Sequence, residues 1–203
     1  DFYNYLSHHN FPKDVILRTG FIKIFDNGKE KKSAMYDEWK HKNAVRFAAY
    51  NMCGVGLGIP SSILRKHKFV DKYPHWQDTH LILRIFLDYK LVQLQNYNYY
   101  YRIHSNMGSN YALNSDIIYN RCALNIEAIE DYFIKYNRPE KLNPNTKQFL
   151  IAEKYIQYSN SSFKNKNVFV GRTLLKKSLN TGIYLRLAKY YFIIFLNAIK
   201  LIR

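Results

Sequence analysis

Apolar and polar residues alternate well enough from Val15 to Phe25 to predict a β-strand. Asp26-Asn27-Gly28 follows as a hairpin turn signal, so the spacing predicts a returning strand over 31–36. Two more strands are expected over 91–94 and 97–103. Residues 37–50 have helical spacing, with Val45, Ala48 and Ala49 facing inward. From Thr79, the positions Ile82, Leu83, Ile85, Phe86 and Leu87 give a helix a broad apolar face and leave Arg84 and Asp88 for the surface. After Ser115 the period changes. Ile118, Cys122, Ile126, Ile129 and Phe133 recur at threes and fours, predicting a helix over 116–136 that starts at Ser115-Asp116 and ends at Pro139. Helices over 146–158 and 168–179 follow, joined by polar connections built on Asn143-Pro144-Asn145 and on the run from Ser159-Asn160-Ser161-Ser162 to Asn167.

The pattern reads as an α/β fold, a partial mixed sheet with flanking helices, followed by a C-terminal helical appendage. The expected organisation is a sheet-bearing domain over 1–113, helices over 114–180 and a basic amphipathic helix over 181–203. In that last helix Arg186, Lys189, Asn197, Lys200 and Arg203 fall within an arc of roughly 120° at 100° per residue. Leu187, Tyr191, Phe192, Ile194, Phe195, Ala198, Leu201 and Ile202 fill most of the rest. It holds no run of ~20 uncharged residues, so it reads as a helix lying in a membrane interface, with docking on the protein or a partner as the alternative.

Composition sharpens this picture. At 203 residues, 47% hydrophobic and 23% charged, the chain is long and apolar enough to bury a core. Its 31 Lys and Arg against 15 Asp and Glu leave a net charge of +16, which suits an anionic membrane surface, a phosphorylated substrate or a nucleic acid. No Lys/Arg run of five or more occurs. The two cysteines, Cys53 and Cys122, lie far apart in apolar company, the usage of a reducing cytoplasmic setting. Nineteen tyrosines, clustered at 97–101, are strand formers for sheet packing first and stacking surfaces second.

The densest chemistry lies at His75-Trp76-Gln77-Asp78-Thr79-His80, followed by Tyr99-Tyr100-Tyr101-Arg102-Ile103-His104. Asp78 falls at or next to the start of the apolar helix, where the dipole favours negative charge and Asp is a preferred cap. A carboxylate there serves as a helix cap, as a general base, or as both. His8-His9 and His75 with His80 have no zinc-hydrolase spacing. Gly54-Val55-Gly56-Leu57-Gly58 lacks phosphate-loop spacing and reads as a tight backbone path beside the site.

These residues, with Asn51-Met52-Cys53-Gly54, Pro60-Ser61-Ser62-Ile63-Leu64 and the turn from Phe69 to Pro74, resemble over roughly residues 1 to 110 the C-terminal half of a bacterial family 2 glycosyltransferase. The family's pattern is a Glu-Asp pair opening a helix, a strand, then Tyr-Arg-x-His; here Gln77 stands where Glu is usual, removing a charge and keeping hydrogen-bonding capacity. The resemblance implies the acceptor-side half of a GT-A-like domain. Asp78 would be the inverting general base, and Trp76, Gln77, Arg102 and His104 would bind substrate, with His104 also near the metal. It implies a nucleotide-sugar donor, a glycan or lipid-linked acceptor, and a divalent metal (Mn or Mg). That metal is expected mainly in a donor-binding half, whose Asp-x-Asp this chain lacks. The expected place is the cytoplasm, peripheral on the inner face of the membrane, with an anionic membrane surface and no nucleic acid as partner. The rivals are a basic nucleic-acid-binding module and a membrane-surface adaptor without chemistry.

Overall fold

The computed structural model describes residues 2–41, 43–51, 54–74, 76–104, 115–136, 138, 140–142 and 144–200. The chain forms two compact units, Asp1–Tyr111 and Ala112–Arg203. His75, Cys53, Pro139, Asn143 and residues 201–203, all named above, lie outside the described residues, as do the side chains at 186 and 197–200.

In the first unit, helix α1 (Phe2–His8) precedes β1 (Val15–Phe25), the strand around which the sheet is built. Residues 16–21 of β1 are buried without a break, Arg18 and Thr19 included. Such a run marks a strand covered on both faces. The hairpin forms as expected. Gly28 N donates to Phe25 O at 2.8 Å, Phe25 N donates to Lys29 O at 3.0 Å, and Gly28 takes φ +75°, a geometry that favours a residue without a Cβ. The return strand β2 (Glu30–Lys32) is shorter than predicted. Ser33 ends it by taking both bonds of Phe21: its amide donates to Phe21 O at 2.8 Å and its Oγ accepts from Phe21 N at 2.9 Å.

The helix expected over 37–50 is two, α2 (Glu38–His41) and α3 (Ala44–Tyr50). Asn43 breaks it by capping α3, its side chain accepting from Arg46 N at 2.7 Å. Val45, Ala48 and Ala49 are buried as predicted. A two-residue strand β3 (Leu57–Gly58) pairs antiparallel with Leu17 and Arg18, then α4 (Ser61–Lys66) and α5 (Gln77–Asp88) lead into β4 (Lys90–Ile103), parallel to β1. The sheet is therefore mixed and four-stranded. β4 is one strand where two were predicted. Its register against β1 slips on either side of Gly20, a bulge that absorbs the polar stretch around Gln95 and Asn96.

In α5 every residue from His80 to Leu87 is buried. Arg84, expected on the surface, is among them. Its apolar stem lies in the core and its guanidinium donates to the Lys68 carbonyl.

The second unit comprises α6 (Ser115–Lys135), α7 (Pro144–Lys164), α8 (Val168–Thr181), a 3-10 turn over Leu185–Leu187 and α9 (Ala188–Lys200). Ile118, Cys122, Val170 and Leu174 form a core, with Tyr119, Ile126, Tyr155 and Tyr158 packed on it. The connection predicted at Ser159-Asn160-Ser161-Ser162 is instead the last turn and a half of α7. Two serines are buried because their hydroxyls are spent on carbonyls: Ser159 Oγ donates to Gly171 O at 2.7 Å and Ser162 Oγ to Tyr158 O at 2.8 Å.

Candidate active site

Three of the singled-out residues share the start of α5. Trp76 is the N-cap and contributes no side-chain cap bond; its carbonyl accepts from His80 N at 2.9 Å. Gln77 is half-buried and Asp78 is exposed, one residue further into the helix. The cap role foreseen for Asp78 is therefore not filled: the carboxylate has no hydrogen bond or ion pair among the described residues. It is open to solvent and to a ligand, within the first turn where the helix dipole favours an anion.

Trp76 needs a correction. At 3% exposed, it packs edge-on against His80 with ring centroids 5.9 Å apart, and Tyr73 lies 6.0 Å from the same imidazole. Its ring fills the core under the helix start and presents no face to a sugar.

The glycine-rich segment passes beside the carboxylate. A Cβ built on Gly54 would stand 3.9 Å from Asp78 Cβ and 3.7 Å from Ile82 Cδ1. Gly56 takes φ +71°, and its missing Cβ position lies 3.0 Å from both Thr19 O and Thr19 Oγ1, so a side chain there would strike β1. This is the tight backbone path that the glycines suggested.

Arg102 and His104 lie at the C-terminal end of β4. Arg102 is exposed on β4 opposite Ile24, and His104 follows the strand. Asp78 stands about 15 Å along α5 from the α5–β4 junction, at 1.5 Å per residue. Arg102 lies about 30 Å along the sheet from that junction, at ~3.3 Å per residue of β1. Both groups belong to the first unit, and both spans start from the same α5–β4 junction.

A cavity of about 490 Å³ is lined by Thr19, Gly56, Asn98 and Tyr99 with Phe2 and Tyr3. Gly56 is at most about 7.6 Å along the chain from Gly54, which places Asp78 within about 12 Å of the cavity wall. A hydroxyl, an amide and an exposed phenol ring face this space. Tyr99 stood in the tyrosine cluster that the sequence marked, whereas Thr19 and Asn98 were not singled out, because contributions from two parallel strands become neighbours through pairing alone. A second cavity of about 490 Å³ has Phe2, Leu6, Phe11, Ile59 and Pro60 along its walls and Lys13 and Arg65 among its lining.

On the sheet, Tyr99 and Tyr100 are 47% and 61% exposed, while Lys32 Nζ lies 5.0 Å over the Tyr97 ring. Lys23, paired with Tyr101, has its pKa lowered first by burial and then by the charge of Lys31. In the second unit, burial pushes the Cys122 thiol up to about 12. Among the described residues no three His, Cys, Asp or Glu side chains come together to hold a metal. His104 offers one nitrogen donor, so these residues do not constitute a site for the divalent ion that the resemblance implies.

No family model, curated protein or solved structure matches the chain.

Proposed function

We propose that this chain is the acceptor-side half of an inverting glycosyltransferase with a GT-A-like domain. Asp78 takes the proton of an acceptor hydroxyl as that oxygen attacks the anomeric carbon of a nucleotide sugar; the new glycosidic bond forms as the bond to the nucleoside diphosphate breaks. Arg102 steadies the charge of the departing diphosphate, with His104 beside it, and Gln77 orients substrate through its amide. A divalent cation, Mn or Mg, belongs to the same proposal, held chiefly by residues outside this chain. The cavity bounded by Thr19, Asn98 and Tyr99 offers the polar and aromatic groups that grip a sugar ring, the part first given to Trp76.

The observation that carries this reading is the state of Asp78: an exposed carboxylate in the first turn of a helix buried from His80 to Leu87, flanked by a glycine backbone and committed to no cap. The acceptor is a glycan or lipid-linked glycan displayed at the cytoplasmic face of a membrane. No helix among the described residues is long and apolar enough to cross one, and the basic amphipathic tail supports surface attachment. Transfer assays with a panel of nucleotide sugars and Mg or Mn, on the protein as the cell makes it, test the reading. Turnover of one donor supports it; none with any donor removes it.

The exposed Tyr99 and Tyr100, with Lys32 over Tyr97, favour one second reading, a single-stranded nucleic-acid surface. That reading requires oligonucleotide binding with a steep salt dependence, lost in Tyr99→Ala.

A further inference from the structure

The tail helix has two apolar faces, and only one is used inside the protein. Ile194 is fully buried and α9 packs on α7. Tyr191 reaches the same side, its hydroxyl 3.1 Å from Ser178 Oγ of α8. The other face is bare. Phe192 and Phe195 are 63% and 60% exposed, and Leu196 and Ala188 are exposed with them. These four positions share an arc of about 100° at the helical repeat, distinct from the arc of Tyr191 and Ile194. Leu185 and Ile183, just before the helix, are also exposed.

The charge along this part of the chain is one-sided. After Glu153 the chain has ten Lys and Arg and not one Asp or Glu. Lys189 is exposed in the first turn of α9, and Arg172, Lys176 and Lys177 are exposed on α8. Two phenylalanines held in water on a helix that also exposes Lys189, in a stretch of sequence without an acid, match a surface with an apolar interior and an anionic skin.

We infer that the Phe192, Phe195 and Leu196 face of α9 inserts into the interface of an anionic phospholipid bilayer, while the opposite face stays docked on the helical unit. This rests on the membrane-peripheral reading above and deepens it: it names the contact face and separates it from the face that holds the helix in place. The helix therefore stays docked on α7 while its outer face meets lipid.

The test is flotation of the full 203-residue chain with two kinds of vesicle, pure phosphatidylcholine and phosphatidylcholine with about 30% phosphatidylglycerol. The expected result is binding to the anionic vesicles, weakened as salt rises, with a roughly tenfold or greater loss in the double variant Phe192→Ser, Phe195→Ser. Both residues are exposed, so the variant should unfold at the same temperature as the parent. Ile134→Ser with Phe169→Ser, two exposed apolar residues elsewhere on the unit, should bind as the parent does. Binding that survives Phe192→Ser, Phe195→Ser overturns the assigned face. Equal binding to both vesicles overturns the anionic partner. No binding by the parent removes the membrane-peripheral reading itself, and oligonucleotide binding lost in Phe192→Ser, Phe195→Ser would assign the face to nucleic acid instead.

Discussion

Arg18 and Gln93 exchange hydrogen bonds in both directions across the parallel β1–β4 pair. The Arg18 guanidinium donates to Gln93 Oε1 at 2.7 Å, and Gln93 Nε2 donates back to the Arg18 carbonyl at 3.0 Å. The same Oε1 also accepts from Tyr36 N at 3.0 Å, which ties the segment after the hairpin to the sheet. Arg18 is fully buried with its guanidinium 5.0 Å over the Phe47 ring, so its charge is placed by this amide and an aromatic face. Gln93→Leu removes an acceptor from the buried Arg18 guanidinium and from the half-buried Tyr36 N–H, and the expected cost is about 2–3 kcal/mol in urea unfolding. A loss under ~0.5 kcal/mol would show that the amide does not hold the sheet together.

At Gly171, α8 meets α7 with no room for a Cβ. A Cβ there would stand 2.9 Å from two carbons of the buried Phe163 ring, while the glycine's own carbonyl receives Ser159 Oγ. Gly171→Ala gains up to about 1 kcal/mol of helix propensity and loses about 1–3 kcal/mol to overpacking. The net expectation is a lower melting temperature for the variant by differential scanning calorimetry; a higher one would mean that the helices can part without cost.

Alkaline pH should weaken the second unit. The buried Cys122 thiol holds its proton to about 12 against an ordinary 9.0, and burial likewise raises the Tyr158 phenol to about 12 against 10.0. The unfolded chain therefore gives up these protons first. Their contribution is fully present below pH 9 and is lost as the pH rises from there toward 12, with a slope of up to about 1.4 kcal/mol per pH unit for each group. Urea midpoints measured from pH 8 to 11 should fall, and less so in Cys122→Ala. A thiol reagent at pH 8 should leave Cys122 unmodified in the folded protein.

Much of the fold could be read because single periods carry it. The hairpin at Asp26-Asn27-Gly28 and the apolar stripe beyond Ser115 need only local geometry. Reading failed where a side chain's partner lay far along the chain. Ser159 and Ser162 look like a linker until their hydroxyls find carbonyls. Arg84 looks like a surface residue until the Lys68 carbonyl meets its guanidinium. At the site, Asp78 was legible as a carboxylate opening a helix, and the glycines as a narrow path beside it. The burial of Trp76 was not, because its partners Tyr73 and His80 converge only once the turn before α5 closes. Thr19 and Asn98 were hidden for the same reason, since β4 reaches Thr19 only by pairing with β1.

In the proposed mechanism the open carboxylate of Asp78 is the base. The most direct measurement compares sugar transfer by the protein as the cell makes it with transfer by Asp78→Asn, at saturating donor and with melting temperature recorded for both. Asn keeps the size of the side chain and cannot take the proton, so the account predicts a fall in kcat of about 10³-fold with donor binding and stability unchanged. Transfer by Asp78→Asn within a few-fold of the parent would contradict it and leave Asp78 as an ordinary residue of the first helical turn.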